Sequence, residues 1–67
     1  MKKLNSNLEA IIKSRGIKQK WIAEKLNVRP STISDIVQNK SVPSLALALA
    51  VARVLDLKIE DIWTERI

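Results

Sequence analysis

The sequence predicts an all-α fold: a bundle of five short helices forming a single domain over residues 1–67. Three observations carry this expectation. Apolar residues recur at helical spacing within each segment. Helix starts and stops divide the chain at short intervals. No segment reads as a strand.

Asn5 or Ser6 is expected to cap a first helix whose apolar positions are Leu8, Ile11 and Ile12. Gly16, directly after Arg15, is a glycine stop. A second helix runs from about Gln19 to Leu26, with Ile22, Ala23 and Leu26 on one face. Only the connection "NVR" separates it from a third, which starts at Pro30. Proline suits a first helical turn because its missing N–H would have no intrahelical partner there. "QNKSVP" is rich in turn residues, and Ser44 then caps a long fourth helix reaching about Leu55. In it Leu45, Leu49, Ala52 and Leu55 suit a core stripe, leaving Ala46 and Ala50 on the wet side. Those alanines read either as plain helix formers or as a close helix contact in a dimer, with Leu47, Val54 and the tail "WTERI" nearby. "DLK" breaks the helix, and Glu60 and Asp61 open a short fifth one, where acids favour the helix dipole. The first residues, "MKKL", could pair with the tail as a small terminal β-ribbon.

Composition narrows function. The chain has no cysteine and no histidine, hence no thiolate metal site, no thiol nucleophile and not the commonest general base. One glycine excludes a glycine-rich phosphate loop. Without clustered carboxylates either, neither a catalytic site, nor a metal, nor a cofactor, nor a small-molecule ligand is expected. The longest apolar run, "LALALAVA", is too short to span a bilayer, and the N-terminus lacks a signal-peptide pattern. A soluble, cytoplasmic, non-enzymatic protein is expected, with no membrane partner. A membrane-surface helix is poorly supported, because the basic residues are spread over several helices.

The distribution of charge says more than the net +5. Met1 to Lys40 holds nine Lys/Arg against Glu9, Glu24 and Asp35, a sum of +6; Ser41 to Ile67 holds three against four acids, a sum of −1. A basic excess confined to one half of a small domain is the footprint of a polyanion-binding face. Charge alone does not decide the matter, since many small basic domains are merely soluble.

The stretch "NVRPSTISDIVQNK" sharpens it. Its only apolar side chains after Pro30 are Ile33, Ile36 and Val37, and the rest of its surface is Ser, Thr, Asp and Gln. A helix kept for packing alone usually shows a broader apolar stripe with long charged residues outside. Two short helices joined by a three- to four-residue turn form a helix-turn-helix pattern. Small polar side chains on its second helix can approach base edges in a major groove.

From Gly16 to Trp63 the chain resembles the Cro/phage-repressor type helix-turn-helix family of bacterial and phage transcription regulators. The resemblance rests on Gly16, Gln19, Ala23, Leu26, Val28, Thr32, Ile33 and Ser34, the "QNK" turn, "PSL" at Pro43 to Leu45, and the closing "IEDIW". It implies double-stranded DNA as partner, and a homodimer on an inverted repeat. By position it implies that Pro30, Ser31, Thr32 and Asp35 read bases, with Ser34 at the edge. It implies phosphate contacts from Gln38, Asn39, Lys40 and Ser41 after the third helix. Gln19 matches the family's glutamine that binds a phosphate and braces the recognition helix; Arg29, Lys18 and Lys20 are further phosphate anchors.

Departures from the family pattern are informative. Arg29 stands in place of a capping Ser or Thr and so exchanges a cap for a charge. Pro30 offers only an apolar contact, for instance to a thymine methyl. Asp35 repels phosphates yet can accept from a cytosine amino group; a salt bridge, or discrimination against wrong sequences, is the other reading. Asn39 replaces a glycine and tolerates the left-handed conformation better than most residues. Ile12 and Val37 stand where many relatives face a buried Arg with a Glu, a swap that keeps the core packed and is often neutral or stabilising. Trp63 is expected to close the core. Trp21 lies at an outward position, where its indole N–H could donate to a phosphate or its ring could lie along the first helix; packing is the expected role, as for most indoles.

The expected function is a sequence-specific repressor that sets its third helix in the major groove. The alternative is a protein-interaction module such as the antitoxin of a toxin–antitoxin pair, although the chain holds almost nothing outside the domain with which to wrap a toxin.

Overall fold

A computed structural model describes residues 3–66. Five helices follow one another: α1 (Leu8–Arg15), α2 (Gln19–Leu26), α3 (Pro30–Val37), α4 (Leu45–Val54) and α5 (Ile59–Ile62). They lie between two strands, β1 (Lys3–Ser6) and β2 (Trp63–Arg66), which form one antiparallel ribbon with Leu4 opposite Glu65 and Ser6 opposite Trp63. The terminal ribbon is therefore present; Met1, Lys2 and Ile67, at the ends of the two segments expected to form it, lie outside the described residues. At its base the Asn7 N–H donates to the Ile62 carbonyl at 2.7 Å, joining the start of α1 to the end of α5.

The ribbon also moves the start of α1. Asn5 and Ser6 are taken up by pairing, so Asn7 holds the N-cap position and makes no side-chain cap. The Ser6 hydroxyl instead accepts from the Leu8 N–H at 3.1 Å. At α4 the expected cap is formed: the Ser44 hydroxyl accepts from the Leu47 N–H at 3.1 Å. At α5 the Asp61 carboxylate accepts from the Lys58 N–H at 3.1 Å, so this acid both caps the helix and favours its dipole.

Every helix sends at least one aliphatic side chain into a single core. Leu8, Ile22, Ile33, Ile36, Val51 and Ile62 are the largest fully buried residues, and Trp63 closes the cluster at 6% exposure. Ile12 and Val37 are both buried in it, as the apolar swap at these positions requires. Across the bundle, the Arg15 guanidinium donates to the Leu55 carbonyl at 2.6 Å and so ties the end of α1 to the end of α4.

The stripe on α4 differs from the expected one. Ala48, Val51, Ala52 and Leu55 face the core, whereas Leu45 is 73% and Leu49 42% exposed. Arg53 is the only polar residue among the ten of this helix, so apolar periodicity offers no contrast from which to choose a face. The register is set instead by what packs: the two buried alanines let α4 lie against α2 and α5. The two leucines are then left outside. We expect Leu55→Ala to cost about 2–5 kcal/mol as a cavity in the core, and Leu45→Ala to stay within about 0.5 kcal/mol. Urea unfolding followed by circular dichroism measures both.

Candidate nucleic-acid interface

The segment from Lys18 to Ser41 builds the candidate surface. α2 ends at Asn27, whose φ of 55° is left-handed. The Val28 N–H then donates to the Ala23 carbonyl at 3.0 Å, and the Asn27 N–H to that of Glu24 at 3.2 Å. This pair of bonds is a Schellman motif, which satisfies the last carbonyls of the helix while reversing the chain. Arg29 is extended and precedes Pro30 at the first turn of α3; it makes no side-chain cap. The Thr32 N–H donates to the Arg29 carbonyl at 3.0 Å. α2 and α3 thus pack against one another with only three residues between them, and Ile22, Ala23, Ile33 and Ile36 are buried in the common core.

At about 100° per residue, Ile33, Ile36 and Val37 occupy one side of α3, and the outward direction falls on Ser31 and Asp35. Both are exposed, as is Pro30 at the first turn. Thr32 and Ser34 lie on the flanks and are half-buried. α3 ends as α2 does: Asn39 has φ 64°, its N–H donates to the Ile36 carbonyl at 3.3 Å, and the Lys40 N–H donates to that of Asp35 at 2.8 Å. The turn survives the absence of glycine because asparagine adopts the left-handed region at low cost.

Lys18, Lys20, Arg29, Gln38, Asn39, Lys40 and Ser41 are all exposed, and Gln19 is half-buried at the start of α2. Lys18, Lys20, Arg29 and Lys40 pair with no carboxylate among the described residues, whereas Lys13 pairs with Glu9 at 3.3 Å. The brace from Gln19 to α3 is not formed: among the described residues its side chain makes no hydrogen bond to that helix.

Trp21 does not pack as expected. It is 42% exposed, with the Lys25 ammonium 5.7 Å from its ring centroid. The core side of α2 is filled by Ile22 and Ala23, so the neighbouring position points outward and the indole carries a cation over its face. A second feature was hidden by the uniform composition of α4. An open groove of about 450 Å³ is lined by Leu26, Ala46, Leu49, Ala50, Arg53 and Val54.

Fold and surface together define a helix-turn-helix protein, and comparison with known families agrees. A helix-turn-helix family model matches residues 8–62, and the chain belongs to that family, of the Cro/phage-repressor type; it is a family of DNA-binding transcription regulators and not of enzymes. Two proteins of the archaeon Archaeoglobus fulgidus, each described as an uncharacterized helix-turn-helix-type transcriptional regulator, are similar. One is 42% identical over 48 residues, covering 72% of this chain and 69% of its own length. The other is 44% identical over 45 residues, covering 67% of this chain and 63% of its own length. A crystal structure of a candidate DNA-binding protein from Bacteroides fragilis shares the fold, with a TM-score of 0.83 at 24% identity, over 91% of this chain and 98% of that one. Among the described residues, no helix is long and apolar enough to cross a membrane.

The left-handed turn after α3 gives a test of its own. Asn39→Ala should lower stability by about 1 kcal/mol, since alanine lacks the local hydrogen bonding that eases this conformation. Asn39→Gly should leave stability within about 0.5 kcal/mol of the parent in the same urea titration.

Proposed function

We propose that this protein is a sequence-specific double-stranded DNA-binding transcriptional regulator, acting in the cytoplasm as a repressor. Two copies bind an inverted-repeat operator, each with α3 in a major groove, and repression follows from occupying a promoter. The observation that carries this reading is the outward face of α3, where Ser31 and Asp35 stand exposed between cations on both flanking turns. Ser31, Thr32 and Asp35 offer hydrogen-bonding groups to base edges, and Pro30 an apolar contact. Arg29 lies immediately before α3 and Lys40 three residues after its end, with Asn39 and Ser41 beside Lys40. With Lys18, Gln19 and Lys20 at the start of α2, they hold the phosphate backbone on either side of the groove.

The size of the reading element supports the dimer. The eight residues of α3 extend about 12 Å, a length of about three to four base pairs at about 3.4 Å each. So short a site specifies little, and two half-sites about one helical turn apart double it. One observation favours a second reading, a protein-interaction module of the antitoxin kind. The α4 surface, with Leu45 and Leu49 exposed beside the groove, is apolar in a way that DNA binding does not use.

Selection of bound duplexes from a random pool at near-physiological salt decides between these readings. An enriched inverted repeat with half-site centres about one turn apart is expected; binding without enrichment that vanishes as salt rises would leave only polyanion attraction. Lys40→Ala should weaken all sequences alike and lower the salt slope by about one. Ser31→Ala should alter base preference instead, and an equal loss on every sequence would remove Ser31 from the reading face.

A further inference from the structure

The resemblance assigns Gln38 to the loop that grips phosphates, but its geometry is that of a residue of the recognition helix. Its N–H donates to the Ser34 carbonyl at 2.9 Å, an i to i−4 bond, so its Cα still follows the track of α3 although it is the C-cap residue. Its φ of −82° and ψ of 2° are where the track ends, so Gln38 is the last residue whose Cα lies on it. On the same angular scale Ser31, Asp35 and Gln38 fall within about 60° of arc, centred opposite Ile33, Ile36 and Val37. Gln38 therefore lies on the outward face, at one edge of this arc with Ser31 nearest its centre, and closer to that centre than Thr32 or Pro30.

Its side chain is also held. The carboxamide Nε2 donates to the Ser34 hydroxyl at 3.0 Å, folding the chain back along the helix toward Ser34, on the side away from Asp35. That bond uses one of the two N–H groups of the amide. Among the described residues the second N–H and the Oε1 lone pairs have no partner, a donor and an acceptor side by side. This is the set that matches N7 and the N6 amino group of adenine. A glutamine that is free to rotate would lose side-chain entropy on binding; one fixed by Ser34 has already given part of it up. The extra reach of glutamine over serine also suits the far end of a helix lying obliquely in a groove.

We propose that Gln38 is a base-reading residue, that Ser34 is its positioning residue, and that the pair recognises an adenine in each half-site. This rests on the DNA-reading function proposed above, and deepens it by moving Gln38 from the phosphate contacts to the bases.

The test uses the full chain and the random duplex pool, with parent, Gln38→Ala, Gln38→Glu, Ser34→Ala, Ser34→Thr and the double alanine variant. All the changed side chains are exposed or half-buried and outside the core, and circular dichroism checks that each variant folds. Gln38→Ala should abolish a preference for adenine at one position of each half-site, a loss of roughly 5- to 150-fold in discrimination. Gln38→Glu, an acceptor of the same length, should shift that position toward cytosine. Ser34→Ala should weaken the same preference at the same position, Ser34→Thr should retain it, and the double variant should match Gln38→Ala because the two side chains act as a unit. Equal weakening of every sequence by Gln38→Ala would overturn the proposal and return the residue to the phosphates. Independent, additive effects of the two alanine changes would overturn the role of Ser34. A parent protein that enriches no sequence would overturn the underlying DNA-reading function, and is told apart from both because the parent alone shows it.

Discussion

The whole bundle depends on one backbone constraint, the left-handed residue that ends each of its four longer helices. Gly16, Asn27, Asn39 and Asp56 have φ of 67°, 55°, 64° and 57°. After each of them the same two bonds close the helix. Ile17, Val28, Lys40 and Leu57 donate back to Ile12, Ala23, Asp35 and Ala52, while the left-handed residues donate to Lys13, Glu24, Ile36 and Arg53. A helix of eight to ten residues is marginal by itself. Stopping it sharply, with its last carbonyls satisfied, lets the next helix return at once onto the same core. Connections of a few residues then suffice to pack five helices from a chain this short.

Three of these endings share a further feature that the fourth lacks. The residue after the left-handed position is Ile17, Val28 or Leu57 in turn, and each is packed against the core. Such a contact usually accompanies the motif and pins the reversal in place. After α3 the corresponding residue is Lys40, which is exposed. The same turn that anchors the chain elsewhere here presents a cation outward at the end of α3. Folding alone would favour an apolar residue at that position; the phosphate contact proposed for Lys40 would account for the lysine.

The sequence made the helices legible because their punctuation is local. Gly16, Pro30 and Ser44 each act through their own φ or their own side chain, and each stands where it was expected to act. The helix ends at Asn27 and Asp56 also stand where they were expected, although the left-handed conformation is allowed to these residues and not demanded by them. Two misreadings have a common origin. On α4 the apolar residues run all round, and at Trp21 a large aromatic side chain suits either face. In both cases the face is chosen by what the rest of the bundle offers. The start of α1 was misplaced by a long-range effect, the pairing of Asn5 and Ser6 with the other end of the chain. For the site, the polar face of α3 was visible as composition, but the inclusion of Gln38 in it depends on one hydrogen bond beyond the apparent end of the helix.

That arrangement divides α3 into two independent halves. Ile33, Ile36 and Val37 hold it in place, all three buried and all three β-branched, residues that favour a helix only weakly. The helix therefore owes its existence to packing against α2 and the core rather than to its own propensity or to charge pairs along its surface. Its outward residues add little to folding, so Ser31, Ser34, Asp35 and Gln38 are free to be chosen for what they meet outside. A substitution among them should leave the scaffold intact and, on the function proposed above, change only the sequence that is read. Specificity in this small domain can then diverge without passing through unstable intermediates, because the residues that fold α3 and those that face the groove are different residues.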